Sequence, residues 1–104
     1  MIIFVDIDET ICEHPGTDPY SPRDYTKAIP IEKNIQKINK LYEEGNTIIY
    51  WTARGTVTGI DWTQETQIQF KKWGVAYHEL KMGKPFYDLF ICDKALSSLE
   101  FFKD

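Results

Sequence analysis

The chain is poor in cysteine, histidine and uninterrupted apolar sequence. Its two cysteines, Cys12 and Cys92, stand in no metal-binding spacing. That excludes a disulfide framework and a zinc ribbon, and it suits a reduced, cytoplasmic setting. No apolar run approaches the ~20 residues a membrane helix needs. The opening MIIFV has no basic flank and meets Asp6 at once, so no leader is expected. Basic excess is also missing: 16 acidic against 12 basic residues leave a net charge of -4. Neither a nucleic-acid partner nor a membrane partner is expected from that balance. There is no internal repeat and no low-complexity tract, and the length fits one domain over residues 1–104.

What is present is a 14% share of aromatic residues, which fills a small core efficiently. Short apolar runs alternate with helical patterns. Residues 2–7 read as a buried strand. Residues 13–30 hold four of the five prolines and read as an ordered excursion onto which Tyr20 and Tyr25 pack. Pro30 is expected to open a helix carrying Ile31, Ile35, Ile38, Leu41 and Tyr42, with Gly45 as its stop. TIIYW, residues 47–51, is a second strand. Asp61 is placed to cap a helix over 62–73, which Gly74 ends. VAYHEL is a third strand, YDLFICD (87–93) a fourth, and a helix follows over 94–102. This order predicts an α/β fold: a mainly parallel sheet of about four strands with helices on both faces.

Ligands bind such sheets at the carboxyl ends of the strands. There the sequence places Asp6 and Asp8 after the first strand, Thr52 and Arg54 after the second, and Asp93 at the end of the fourth. Lys84 lies in the turn before that fourth strand. Three carboxylates near one point repel one another unless a cation joins them. An oxygen-only set without His or Cys suits Mg2+. Residues two apart on a strand share a face, so Asp6 and Asp8 can enter one site while Ile7 enters the core. Lys84, the Thr52 hydroxyl and backbone N–H groups from Ala53 onward can hold a phosphoryl group. Asp6 can then attack phosphorus, and Asp8 can act as acid and base. Thr10 is placed to orient Asp8 or the local backbone.

These residues resemble the haloacid dehalogenase superfamily of phosphatases. VDIDET matches its opening DxDxT, IIYWT its strand ending in Ser or Thr, GKP its lysine, and DLFICD its acidic strand end. The four motifs occur in order over essentially the whole chain. The resemblance implies a Rossmann-like three-layer core and an Mg2+-dependent phosphomonoester hydrolase working through an aspartyl phosphate. Asp6 is then the nucleophile and Asp8 the general acid/base. Thr52 and Lys84 bind the phosphoryl group, and the side chains of Asp6 and Asp93 hold the metal together with the backbone carbonyl of Asp8. YWTARGTVTGIDW and WGVAYHELKMGKPFYD look like small bacterial and phage phosphatases of polysaccharide synthesis. A phosphorylated small molecule, such as a sugar phosphate, is the expected substrate. A nucleotide, a macromolecule, or binding without catalysis are the alternatives.

One departure is Cys92 before Asp93, where relatives often have two acidic residues. Neither gap between motifs has room for a folded cap domain. A capless, open site follows, closed in some relatives by homo-oligomerisation. Thr10, Ala53, Arg54 and Trp62 are the candidate substrate contacts. Arg54 either reaches a second anionic group or pairs with a surface carboxylate. Trp62 either covers the sheet or stacks on a sugar. His14 and His78 read as loop or strand-end residues, and the two cysteines as small buried groups.

Overall fold

The computed structural model describes residues 1–16 and 23–103. Tyr20 lies outside the described residues. The elements run β1 (Ile2–Val5), β2 (Cys12–Glu13), a 3-10 turn (Tyr25–Lys27), β3 (Ile29–Pro30), α1 (Glu32–Glu43), β4 (Thr47–Trp51), α2 (Thr63–Trp73), β5 (Glu79–Lys81) and α3 (Ser98–Phe101).

Three strands form a parallel sheet in the order β1-β4-β5. Ile3 lies opposite Ile48 and Val5 opposite Tyr50, so these four side chains project from one face. Ile35 and Ile38 of α1 and Phe70 of α2 pack on that same face and complete the core. The periodicity of α1 therefore works as expected. Gly45 takes a positive φ just past its end, donating its N–H to the Tyr42 carbonyl. Gly74 ends α2 in the left-handed region. The Asp61 carboxylate accepts the Thr63 N–H at 2.9 Å in a turn just ahead of α2, whose N-cap is Trp62 rather than Asp61.

Four further expectations need correction. Pro30 does not open α1: it pairs with Cys12 in a short antiparallel ladder, and the helix starts at Glu32. The third strand is displaced to Glu79–Lys81, and His78 just ahead of it meets β4 partly through its side chain. The Ile48 N–H donates to His78 Nδ1, and the His78 N–H to the Ile48 carbonyl. Residues 87–93 form no strand, and the following helix shrinks to α3. A strand exists only through pairing, and this run has one β-branched residue between Asp88 and Asp93. Leu89 is 75% exposed and Ile91 88% exposed. The sheet thus has three strands rather than four among the described residues. Both long helices cover one face of it, leaving Ile2 and Phe4 exposed on the other.

No described helix is long and apolar enough to cross a membrane.

Candidate functional site

β1 ends at Val5, and the chain then makes a tight turn. The Thr10 and Ile11 N–H groups both donate to the Ile7 carbonyl. Ile7 and Ile11 are fully buried and anchor the turn in the core. Asn34 of α1 braces it by donating to the Thr10 carbonyl at 2.9 Å. Thr10 joins the turn through its backbone N–H and carbonyl. Glu9 adopts φ 60° at the apex, an unusual conformation for a residue with a side chain. Asp6 and Asp8 leave this turn in different surroundings.

Asp6 faces a cavity of about 240 Å3 lined by Ala53, Lys84, Pro85, Phe86 and Tyr87. Its Oδ1 accepts the Ile7 N–H at 2.8 Å. Its Oδ2 lies 3.9 Å from Lys84 Nζ. Burial raises the Asp6 pKa above the ordinary carboxylate value, against the pull of Lys84. Lys84 is itself positioned by the end of β4. Its N–H donates to the Thr52 carbonyl, and the Thr52 N–H donates to the Lys81 carbonyl, both at 3.0 Å. Thr56 Oγ1 adds a bond to the Lys84 carbonyl. Thr52 is buried, and its hydroxyl oxygen accepts the Arg54 N–H at 3.1 Å. Asp6, Thr52, Ala53 and Lys84 are thus brought together as expected. Lys84 rather than Lys81 stands beside Asp6.

Asp8 is held quite differently. Arg54 Nε lies 3.1 Å from its Oδ2, and Nη2 lies 3.0 Å from its Oδ1. His14 Nε2 lies 2.7 Å from the same Oδ1. Burial pushes the Asp8 pKa up, but His14 and Arg54 together outweigh it and hold the pKa at about 2. With Asp8 ionised, the imidazole proton of this contact belongs on Nε2, which donates.

Arg54 pairs with a carboxylate, but with Asp8 of the site rather than one at the surface. Its side chain is fully buried. Beyond Asp8 it donates through Nη1 to Thr66 Oγ1 and to Gln69 Oε1, and through Nη2 weakly to Cys12 Sγ. Tyr25 covers the guanidinium at 4.8 Å. Its N–H groups are used inside the protein, so it has no donor to offer a substrate. Trp62 packs edge-on against Tyr25 with ring centroids 5.2 Å apart. It also lines a second, smaller cavity of about 140 Å3 with Gly55, Ile60, Asp61 and Met82.

Among the described residues, the side chains of Asp6, Asp8 and Asp93 form no converging group. Asp93 lies in the exposed segment beyond Lys84, where its carboxylate meets the thiol of Cys92. Among the described residues, the group whose donor atoms converge to metal-binding distance is Asp8, Cys12 and His14. That group does not suit a cation either. A guanidinium already occupies the anionic side of Asp8, and burial beside Asp8 pushes the Cys12 thiol far up from its ordinary pKa. The positive charges that offset Asp6 and Asp8 here are Lys84 and Arg54.

Sequence reasoning missed His14, Thr66 and Gln69 as parts of this site. Thr66 and Gln69 lie three apart on α2 and so share one face of the helix, where both reach the Arg54 guanidinium.

No family model matches the chain, and no curated protein matches it. Among solved structures, the crystal structure of a target protein from Vibrio cholerae is similar, with a TM-score of 0.82. The alignment covers 99% of this chain and 88% of that one at 24% sequence identity. At that identity the likeness speaks for the fold alone.

Proposed function

We propose that the protein is a phosphomonoester hydrolase of the haloacid dehalogenase type, with the Rossmann-like core that this implies. The observation that carries the reading is the contrast between the two carboxylates after β1. Asp6 faces an open cavity beside a lysine and has a raised pKa, while Asp8 is gripped as a carboxylate with a pKa of about 2. Paired carboxylates driven apart by their surroundings are how acid/base and nucleophilic roles are divided. Asp6, the more basic of the two, attacks phosphorus from the cavity. Lys84 and the Thr52 hydroxyl hold the phosphoryl oxygens. Asp8, already ionised, takes a proton from the water that hydrolyses the resulting aspartyl phosphate. Phosphate bound nearby adds negative charge and raises the proton affinity of Asp8, as protonating a leaving group requires.

Phe86 and Tyr87 border the cavity and favour a leaving group with a ring, such as a sugar. The substrate proposed is therefore a phosphorylated small molecule. The magnesium requirement rests on the motif resemblance, because the side chains of Asp6, Asp8 and Asp93 form no converging group among the described residues. That arrangement favours a second reading, a module that binds phosphosugars without turning them over.

The test is phosphate release from an aryl phosphate and a panel of sugar phosphates and nucleotides, with Mg2+, with chelator, and with Asp6→Asn. Turnover that disappears in the variant supports the hydrolase. Binding of a panel member without turnover supports the second reading.

A further inference from the structure

The geometry points to His14 as a positioning residue for Asp8, one that leaves Oδ2 as the oxygen that receives the proton. This deepens the hydrolase reading and rests on it. The two oxygens of Asp8 are unequally engaged. Oδ1 meets His14 Nε2 at 2.7 Å, Arg54 Nη2 at 3.0 Å and Cys12 Sγ at 3.4 Å. Among the described residues, Oδ2 has one close donor, Arg54 Nε at 3.1 Å. A carboxylate oxygen accepts about two hydrogen bonds comfortably, so Oδ1 is saturated and Oδ2 keeps accepting capacity.

Two arms produce this asymmetry. Arg54 alone straddles both oxygens and, as a bidentate fork, holds them nearly alike. His14 adds a further contact at Oδ1 alone and makes the two oxygens unequal. The ring is itself held: its side chain is 2% exposed, and it packs edge-on against Tyr25 with centroids 5.7 Å apart. The ladder between Cys12–Glu13 and Ile29–Pro30 brings the chain to this point, so the excursion after β1 has a purpose beyond connection.

The step that depends on Oδ2 is hydrolysis of the aspartyl phosphate. A water oxygen bonds to phosphorus while the bond from phosphorus to the Asp6 carboxyl oxygen breaks. The electron pair returns to Asp6 as carboxylate, the water proton passes to Asp8 Oδ2, and inorganic phosphate leaves. A misplaced Asp8 slows this step but spares attack by Asp6 on an ester whose leaving group needs no proton.

The experiment uses p-nitrophenyl phosphate with the full-length wild type, His14→Leu and His14→Gln, each in Mg2+. Gln places an amide N–H at about the reach of Nε2. Nitrophenolate release is followed from the first turnover, and melting temperature is recorded alongside. For His14→Leu the expectation is a burst approaching one equivalent per enzyme, then steady turnover slower by about 100-fold, the scale of a lost general base. The His14→Gln variant is expected to recover turnover to within about 10-fold of wild type and to lose the burst. Loss of burst and steady rate together in His14→Leu, in step with a lowered melting temperature, overturns the proposal in favour of a purely structural histidine. So does turnover unchanged in His14→Leu. Absence of turnover in the wild type itself overturns the hydrolase reading, and this inference falls with it.

Discussion

Arg54 grips Asp8 by both carboxylate oxygens, at 3.0 and 3.1 Å, across 46 positions of sequence. The contact ties the turn after β1 to the loop after β4, and through Thr66 and Gln69 to α2. A guanidinium is needed for this because its planar fork can satisfy Asp8 and α2 at once.

Arg54→Leu leaves a buried carboxylate without its main counter-charge and is expected to cost about 3–5 kcal/mol of folding stability. Arg54→Lys keeps the charge but cannot span Asp8, Thr66 and Gln69 together, so its cost should fall between wild type and Arg54→Leu. Urea unfolding measures both. A lysine variant as stable as wild type, with a raised KM for phosphate esters, would instead return Arg54 to the substrate.

Acid stability follows from the two aspartates with opposite signs. The Asp8 pKa is depressed to about 2 in the folded state. Its contribution is complete above the unfolded value near 3.8 and is lost as pH falls toward 2. That contribution is on the order of 2 kcal/mol. The Asp6 pKa is raised, so its ionisation weakens the fold as pH rises through the folded value. Water reaches a side chain 42% exposed, so the Asp6 effect is the smaller. In chelator, unfolding free energy should therefore drop below pH 3.8 in wild type, with a gentler drop in Asp8→Asn. Parallel profiles for the two proteins would contradict the assignment.

Much of this architecture is legible in the sequence where one local signal suffices. The spacing of Ile35 and Ile38 marks α1, Gly45 and Gly74 mark helix ends, and TIIYW marks β4. The motif residues Asp6, Thr52 and Lys84 are also legible as one site, because each follows a strand at the same end of the sheet. What was not legible depends on pairing between distant segments. Whether Tyr87–Asp93 becomes a strand depends on a partner edge, which composition does not encode. Arg54 looked like a surface or substrate residue because a lone arginine usually is one. Only the fold brings Thr66, Gln69 and Asp8 around it.

Tyr50 gives a test of the core. Its ring is fully buried against Phe70 and Tyr77, and its hydroxyl has no hydrogen-bond partner among the described residues. Burial accordingly raises the Tyr50 pKa. An unsatisfied buried hydroxyl costs about 1–3 kcal/mol, so Tyr50→Phe should stabilise the protein rather than weaken it. Thermal unfolding settles the sign. A lower melting temperature would mean that the hydroxyl is bonded in solution.

The thiols should divide sharply. Cys12 is fully buried and its pKa is raised, whereas Cys92 is exposed in the segment after Lys84. A chromogenic disulfide reagent at pH 8 should titrate one thiol in the native protein and two in denaturant. Peptide mapping should place the native label on Cys92. Fast labelling of Cys12 in the native state would show that the Asp8 network opens readily.

Glu9 sits inside the DIDET stretch at φ 60°, a conformation glycine adopts without strain. Its carboxylate pairs with Arg23 at 3.4 Å, but the Glu9 side chain is 57% exposed, where an ion pair adds little. Strain relief should therefore outweigh both the lost pair and the added freedom of the unfolded chain. Glu9→Gly is expected to raise stability by up to about 1 kcal/mol. Turnover should be unchanged, because the bonds fixing the turn are made by the backbone of Ile7, Thr10 and Ile11. Glu9→Ala separates the contributions, since it removes the ion pair and keeps the strain. It should be no more stable than wild type. If Glu9→Gly proved less stable than Glu9→Ala, the left-handed turn would not be the origin of the strain.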